Sequence, residues 1–482
     1  MGVKSYIRRK IIEVVKYAIR EEQSFNKQNI DKDIISNFDR QMERWTWERF
    51  KRTEKEIEKW TWDRFQRTKN RLDELEEQIE YVNQNVLDIK FKDNKIEYKE
   101  NEKIRVVMLF QIPSCWPSVE SVWNVLVEDP RFETQMLLYD REQKEPEQME
   151  GARDFLVSHH INFCEAEYYD FQKEKPHVFI YQTPWDDRHR PEFLKSHVIK
   201  AYGIRTVYLP YGIEYSASVR ISWIFSIMQF RAKPWMSFVL SPQILLEHKC
   251  QSKYGGDFLM STGLPKFDAL YKKEQFILQD TLKNIIGDRQ IVFWQMHFPA
   301  LDGNEDYPEP NIEVYLEFAK KIYSYRNLFF LVRPHPKFFS MYMQKGYTAE
   351  VEEFKNILDN TENIFVYDEP DYRPALVNAN YIIGDRSALM VEAIVLQVPV
   401  LYMTNFYYKE KMLQSVLPIF ESYYQGSECY DMELFVDLII NRNKDYKRYE
   451  RLQAMEKCIP FFDGQSGKRI VECIATALQE EV

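Results

Sequence analysis

Several short stretches of this sequence place chemically capable side chains directly after apolar runs. NLFFLVRPHPKFF (327–339) is apolar through Val332 and then gives Arg333 and His335, each followed by a proline. His297 follows IVFWQM, Asp385 and Ser387 follow YIIG, Asp186 and Asp187 follow FIYQTPW, and Gly212 and Glu214 follow TVYLPY. Arginine offers a planar, bidentate fork to phosphate, and histidine can donate a hydrogen bond or move a proton. One such residue would mean little. Five groups in corresponding places mean more, because that edge is where α/β proteins build their sites.

IIGDRSALMVEA (382–393) is the most readable of these stretches. A strand ends at Gly384 and a helix starts near Ser387, whose free N–H groups and dipole suit a phosphate. Glu392, about a turn and a half further on, is placed to reach a ribose hydroxyl. On pattern alone Asp385 or Ser387 would simply cap the helix. The pairing with Arg333 and His335 on a neighbouring strand favours phosphate binding instead. Asp186 and Asp187 are a lone acidic pair, so no metal cluster is expected. His159, His160, His189, His197 and His248 read as structural or exposed.

These residues need strands to hold them. IRVVMLFQ, PHVFIYQ, IRTVYLPYG, SFVLSP and FLMSTG form one series of apolar strands alternating with helical segments. RQIVFWQM, NLFFLVRP, NIFVYD, YIIGD and VPVLYM form a second. Such alternation predicts parallel sheets covered on both faces, hence an α/β protein with two doubly wound domains. The expected division is a helical extension over 1–100, one Rossmann-like domain over 101–275 and another over 276–482. The ligand crevice is expected at the carboxyl ends of the strands, between the two domains.

The first hundred residues are different. WTWERFKRT (45–53) recurs as WTWDRFQRT (60–68), and RLDELEEQIEYVNQNVLDI continues with roughly heptad apolar spacing. Residues 30–90 read as long helix, either a coiled coil or a helical hairpin, or a single helix packed along its own domain. Residues 1–20 have the pattern of a basic amphipathic helix, which suits an anionic membrane surface or docking on the protein itself. Association of copies through these helices is expected.

At 482 residues the chain exceeds one ordinary core. Its formal charge of -10 argues against bulk nucleic-acid binding. The six cysteines form no CxxC pair and read as reduced thiols of a cytosolic protein without a zinc site. No apolar h-region marks a signal peptide, and no run of 18 apolar residues spans a bilayer.

RPHP, then GDRSALMVEAIVLQVPVLYM, preceded by STGLPKFDAL (261–270) and YQTPWDDRHRPE (181–192), resembles the CDP-glycerol glycerophosphotransferase family over roughly residues 102–475. Members help build teichoic acids and related envelope or capsule polymers in bacteria. The resemblance implies a GT-B fold with a nucleotide donor bound by the C-terminal domain and an acceptor by the N-terminal one. It places Arg333 and His335 at the donor pyrophosphate, and Asp385, Ser387 and Glu392 at the phosphate and ribose. FDGQSGKRIVECI (462–474) resembles the closing motif of the family, putting Arg469 near the same phosphates. The implied partners are a CDP-linked donor and a polymer acceptor, with no tightly bound cofactor, in the bacterial cytoplasm or peripheral on the inner membrane face.

Three departures from the family pattern stand out. Tyr211-Gly212-Ile213 replaces His-Gly-Thr, whose histidine is the favoured general base. Asp385-Arg386-Ser387-Ala388 replaces Asp-Tyr-Ser-Ser. Glu392 replaces an aspartate. Tyr211 would be a poor base near neutral pH, so His297 is the first substitute and Asp187 the second. Two rival readings follow: a GT-B glycosyltransferase using a nucleotide sugar, and a degenerate scaffold acting through its helical arm.

Overall fold

A computed structural model describes residues 16, 32–141, 149–213, 215, 230–251, 256–299, 312–404 and 408–481. The basic helix expected over 1–20 lies outside them except for Lys16, and so does Glu214. The chain forms two compact units, Met1–Asn83 and Gln84–Val482.

Helix α1 (Lys32–Asn94) runs 63 residues without a break, about 95 Å at 1.5 Å per residue, so this range is not a hairpin. It contains neither glycine nor proline, the residues most costly to a helix interior. Thr53 and Thr68, equivalent in the two repeats, donate their hydroxyls to the carbonyls of Arg49 and Arg64 one turn back, at 3.0 and 2.9 Å. Trp47, Trp60, Trp62 and Phe65 are exposed.

In the second unit, β1 (Ile104–Phe110), β2 (Phe132–Leu138), β3 (Phe163–Glu165), β4 (Val178–Tyr181), β5 (Arg205–Tyr208), β6 (Met236–Val239) and β7 (Leu259–Ser261) form a parallel sheet of order β3-β2-β1-β4-β5-β6-β7. A second parallel sheet has the order β10-β9-β8-β11-β12-β13, built from β8 (Gln290–Met296), β9 (Leu328–Pro334), β10 (Ile364–Val366), β11 (Tyr381–Gly384), β12 (Val400–Met403) and β13 (Tyr424–Gly426). β4, β11 and β12 are buried at every residue, which is why they read as unbroken apolar runs; β5 is buried throughout as well, although it opens with Arg205 and Thr206. β2, β3 and β13 were not among the expected strands. The last two span three residues each, and β2 opens with half-buried or exposed Glu133, Thr134 and Gln135.

The helices that matter for the site are α2 (Glu120–Glu128), α3 (Pro265–Tyr271), α4 (Ile312–Ile322), α5 (Leu389–Ala393) and α6 (Ser466–Gln479). Helix α6 follows the second sheet in sequence but packs on the first. Its Ile470, Val471, Ile474, Ala475 and Leu478 share one apolar cluster with Val106, Met108, Val207 and Phe238. Close approach requires glycine at 467, where a Cβ would lie 2.6 Å from Ser121 Oγ and 2.7 Å from the Ser121 carbonyl. Asp268 of α3 caps α6, accepting from the N–H groups of Ser466 (2.8 Å) and Gly467 (2.7 Å), and also from Ser121 Oγ of α2 (2.8 Å).

Each sheet reverses direction once, between β1 and β4 and between β8 and β11. Those switch points open crevices at the carboxyl ends of the strands. All six cysteines are free. Among the described residues no helix is long and apolar enough to cross a membrane.

Candidate active site at the strand ends

The register of the second sheet sets Gln295 beside both Arg333 and Gly384, so β8, β9 and β11 deliver their following residues together. Asp385 is buried, and its carboxylate accepts from the His297 N–H at 2.9 and 3.1 Å and from the Tyr315 hydroxyl of α4 at 2.6 Å. It thereby fixes where the chain leaves β8. The His335 N–H donates to the Met296 carbonyl at 2.8 Å, drawing the β9 exit to the same place. The rings of His297 and His335 lie 4.8 Å apart, with Phe298 4.7 Å from His335.

Arg386 completes this group. Its Nη2 donates to His297 Nδ1 at 2.9 Å and to the Phe298 carbonyl at 2.7 Å. A guanidinium carries no lone pair to give, so toward Arg386 His297 Nδ1 can only accept, which puts the neutral ring's proton on Nε2, although the Phe298 carbonyl also lies 3.2 Å from Nδ1. Burial, then the Arg386 cation and His335, hold the His297 pKa well below the usual histidine range. It is therefore neutral at physiological pH. His335 Nδ1 accepts from the Lys337 N–H at 3.1 Å, so its neutral form also carries the proton on Nε2. In these tautomers both imidazoles can donate through Nε2.

Arg333 donates through Nη1 to the carbonyls of Tyr367 (3.1 Å) and Glu369 (2.7 Å), and its guanidinium lies 5.9 Å from the rings of both Tyr367 and Tyr372. Both hydrogen bonds use one nitrogen, leaving the Nε and Nη2 edge for a planar anion. Burial lowers its pKa, but an arginine remains a cation at any physiological pH.

Glu392 is buried with two donors from elsewhere in the chain. Lys266 Nζ of α3 lies 3.1 Å from Oε1, and the Tyr372 hydroxyl donates to Oε2. Lys266 also reaches the Tyr372 hydroxyl at 3.4 Å. Burial, then the Glu392 charge, pushes the Tyr372 pKa well above its ordinary value, so the phenol keeps its proton and donates. Lys266 and Tyr372 were not singled out from the sequence, and Arg386 stood out only as a departure from the family pattern, with no role assigned. Lys266 sits inside the quoted STGLPKFDAL, yet nothing in its spacing announces a partner 126 residues away.

The remaining expected residues occupy separate places. Ser387 Oγ accepts from the Leu389 N–H at 3.2 Å, at the head of the five-residue α5. Arg469 donates through Nε to the Thr262 carbonyl at 2.8 Å and pairs with Asp463 at 2.8 and 3.0 Å, beside the β7–α3 turn. Asp187 and Tyr211 lie beyond the carboxyl ends of β4 and β5 in the first sheet. Asp187 pairs with Lys195 (3.0 Å) and Arg231 (2.8 Å); burial raises its pKa, but these two hydrogen-bonded cations outweigh burial and bring it below the usual range. The Tyr211 ring lies 4.9 Å from Trp185. Asp186 is fully buried against Arg190 (2.7 Å) and the Ser196 N–H (3.1 Å), a structural role.

Gln182 and Gln295, beside the two switch points, each keep one buried amide atom without a hydrogen-bond partner, Nε2 and Oε1 respectively. A buried polar atom of this kind calls for a partner, which water or a ligand can supply. Among the described residues one trio has metal-ligand spacing, Glu317, Cys429 and Glu433, and Lys321 Nζ occupies its centre, bonding Glu317 (3.2 Å), Cys429 (3.5 Å) and Glu433.

Solved structures similar to this chain share its fold. A Staphylococcus aureus MnaA–UDP complex aligns with a TM-score of 0.53 at 14% identity, over 78% of this chain and 97% of that one. UDP-GlcNAc 2-epimerase from Neisseria meningitidis bound to UDP-GlcNAc gives 0.52 at 14%, over 77% and 100%. The wall teichoic acid polymerase TagF gives 0.50 at 13%, over 86% and 98%. Two Rossmann-like sheets in a GT-B arrangement are common ground. A comparison with curated proteins found no match. The sequence model for CDP-Glycerol:Poly(glycerophosphate) glycerophosphotransferase matches residues 223–476, a span holding β6, β7, the whole second sheet and most of α6. With Arg333, His335, Asp385 and Glu392 all inside that span, the chain belongs to the CDP-glycerol:poly(glycerophosphate) glycerophosphotransferase family.

Proposed function

We propose that this chain transfers a polyol phosphate, glycerol phosphate or a close relative, from a CDP-activated donor to a hydroxyl of an envelope or capsule polymer, releasing CMP. The observation that carries this reading is the convergence of Arg333, His335, His297 and Arg386 at the ends of three adjacent strands. Arg333 would grip the pyrophosphate through its open edge. The Nε2–H groups of His297 and His335 would donate to phosphate oxygens as charge moves onto the leaving CMP. Glu392 keeps lone pairs beyond those used by Lys266 and Tyr372, enough to accept from a ribose hydroxyl.

The acceptor oxygen forms a bond to the β-phosphorus and the bond to the CMP oxygen breaks. A loose transition state asks little of a base, because the attacking hydroxyl loses its proton late. In the tautomers described, His297 and His335 are donors, which leaves Asp187 as the acceptor-side carboxylate. Its low pKa makes it a weak base, in keeping with late proton loss.

A donor screen with CDP-glycerol, CDP-ribitol and nucleotide sugars, reading the released nucleotide by mass, tests this directly. CMP release confined to CDP-polyols is expected. Release of a nucleoside diphosphate from a sugar donor would assign the chain to glycosyl transfer instead.

A further inference from the structure

From Leu72 onward, α1 carries apolar residues in strict alternation of three and four: Leu72, Leu75, Ile79, Val82, Val86 and Ile89. Phe65 lies one heptad earlier, in phase with Leu72. This is the spacing of the a and d seam of a coiled coil, a strip that fits the same strip on another helix. All six residues are exposed, between 39% and 61%.

The last turns of α1, from Gln84 on, belong to the second unit, and there the globular body leaves Val86 and Ile89 uncovered. They dock on the first sheet's domain through the opposite side of the helix. The Gln84 side chain donates to the Arg231 carbonyl and accepts from the Lys233 N–H, both at 3.0 Å. Asp88 pairs with Lys200 at 2.6 Å, and Asn94 donates to the Ala201 carbonyl at 2.9 Å. Gln84, Asp88, Phe91 and Asn94 occupy heptad positions f, c, f and b. Val86 and Ile89, at a and d of the same turns, are 44% and 60% exposed. From Gln84 on the helix is therefore gripped by the face a coiled coil turns outward, and Val86 and Ile89 face away from the grip.

We propose that the seam from Phe65 to Ile89 pairs with the same seam of a second copy of this chain. Six half-exposed aliphatic side chains offer roughly 600 Å² per chain, so a pair would bury about 1,200 Å², the lower bound of specific interfaces. A single amphipathic peptide or a lipid surface would not need the seven-residue repeat to hold phase over more than three heptads. A second heptad strip does.

The test is the mass of the full chain in solution by light scattering from 1 to 100 µM. A dimer is expected in the micromolar range. Ile79→Glu with Val82→Glu should shift the protein to monomer at all these concentrations, because both charges would meet their counterparts across the seam. Asp73→Asn, at a b position, should leave the dimer unchanged. The glutamates fall at exposed sites, so the melting temperature of the globular body should stay within error and report that the fold is intact. A monomeric full chain, or an I79E/V82E variant that remains dimeric, overturns the proposal. So does a monomer that co-sediments with vesicles of anionic phospholipid, which would assign the strip to a membrane. Donor turnover is not the readout, so the outcome is independent of the transferase assignment.

Discussion

Glu392 holds a buried charge because Lys266 and the Tyr372 hydroxyl meet it. Removing the lysine alone strands that charge, so Lys266→Met should cost about 3–5 kcal/mol in urea unfolding. Lys266→Met combined with Glu392→Gln should recover much of the loss, since a neutral amide needs no counter-ion. Strictly additive losses in this cycle would show that the pair is not coupled. Arg333 acts at a different level. Arg333→Lys keeps the charge but loses the fork, and nucleotide affinity measured by calorimetry should fall at least tenfold with little change in melting temperature. Unchanged affinity would remove Arg333 from the donor site. Arg333, His335, His297 and Asp385 could be picked out in the sequence because each ends or directly follows a buried apolar run. Lys266 and Tyr372 could not, and Arg386 stood out without a role, because what they do comes from partners that only tertiary folding brings near. The contact of His297 Nδ1 with Arg386 also lay beyond the sequence, as it depends on how the two strand ends fold together.

Among the elements, α6 has the most to lose from a single change. Asp268 satisfies two of its first N–H groups and ties in Ser121 of α2. Asp268→Ala should destabilise the protein by about 2–3 kcal/mol, and Asp268→Asn by less, because the amide oxygen still caps. Equal losses in chemical denaturation would show that capping is not what Asp268 contributes. The two-series pattern of strands was readable because strands buried on both faces are apolar throughout. β2 escaped because its exposed first half is polar, and β3 and β13 because three residues carry too little signal. That α6 returns to the first sheet is invisible locally. Its apolar stripe says only that it packs, and the choice of surface is set by Gly467, Asp268 and the face of α2.

For the molecule as a whole, pH acts through histidines held neutral. His177 has a buried side chain that accepts at Nδ1 from the Arg105 N–H (3.0 Å), and burial, then Arg105, pushes its pKa down to about 4. The unfolded chain takes up that proton near pH 6.5 while the folded one refuses it, so stability is full above 6.5 and falls as pH drops toward 4. The slope is up to about 1.4 kcal/mol per pH unit, and His297 adds in the same direction. Denaturation midpoints at pH 7 and 5 should differ accordingly, and His177→Gln should flatten the difference; an unaltered slope would refute the assignment. The return of α6 has a consequence for how the chain is made. The first sheet is fully translated by Ser261, yet one wall of its core comes from residues 470–478. At roughly 5–20 residues per second, about ten to forty seconds separate the two during synthesis. Through that interval Val106, Met108, Val207 and Phe238 await their partner, so the nascent first domain is a natural client for a ribosome-associated chaperone. A premature stop anywhere in the second domain would leave the first one uncovered as well.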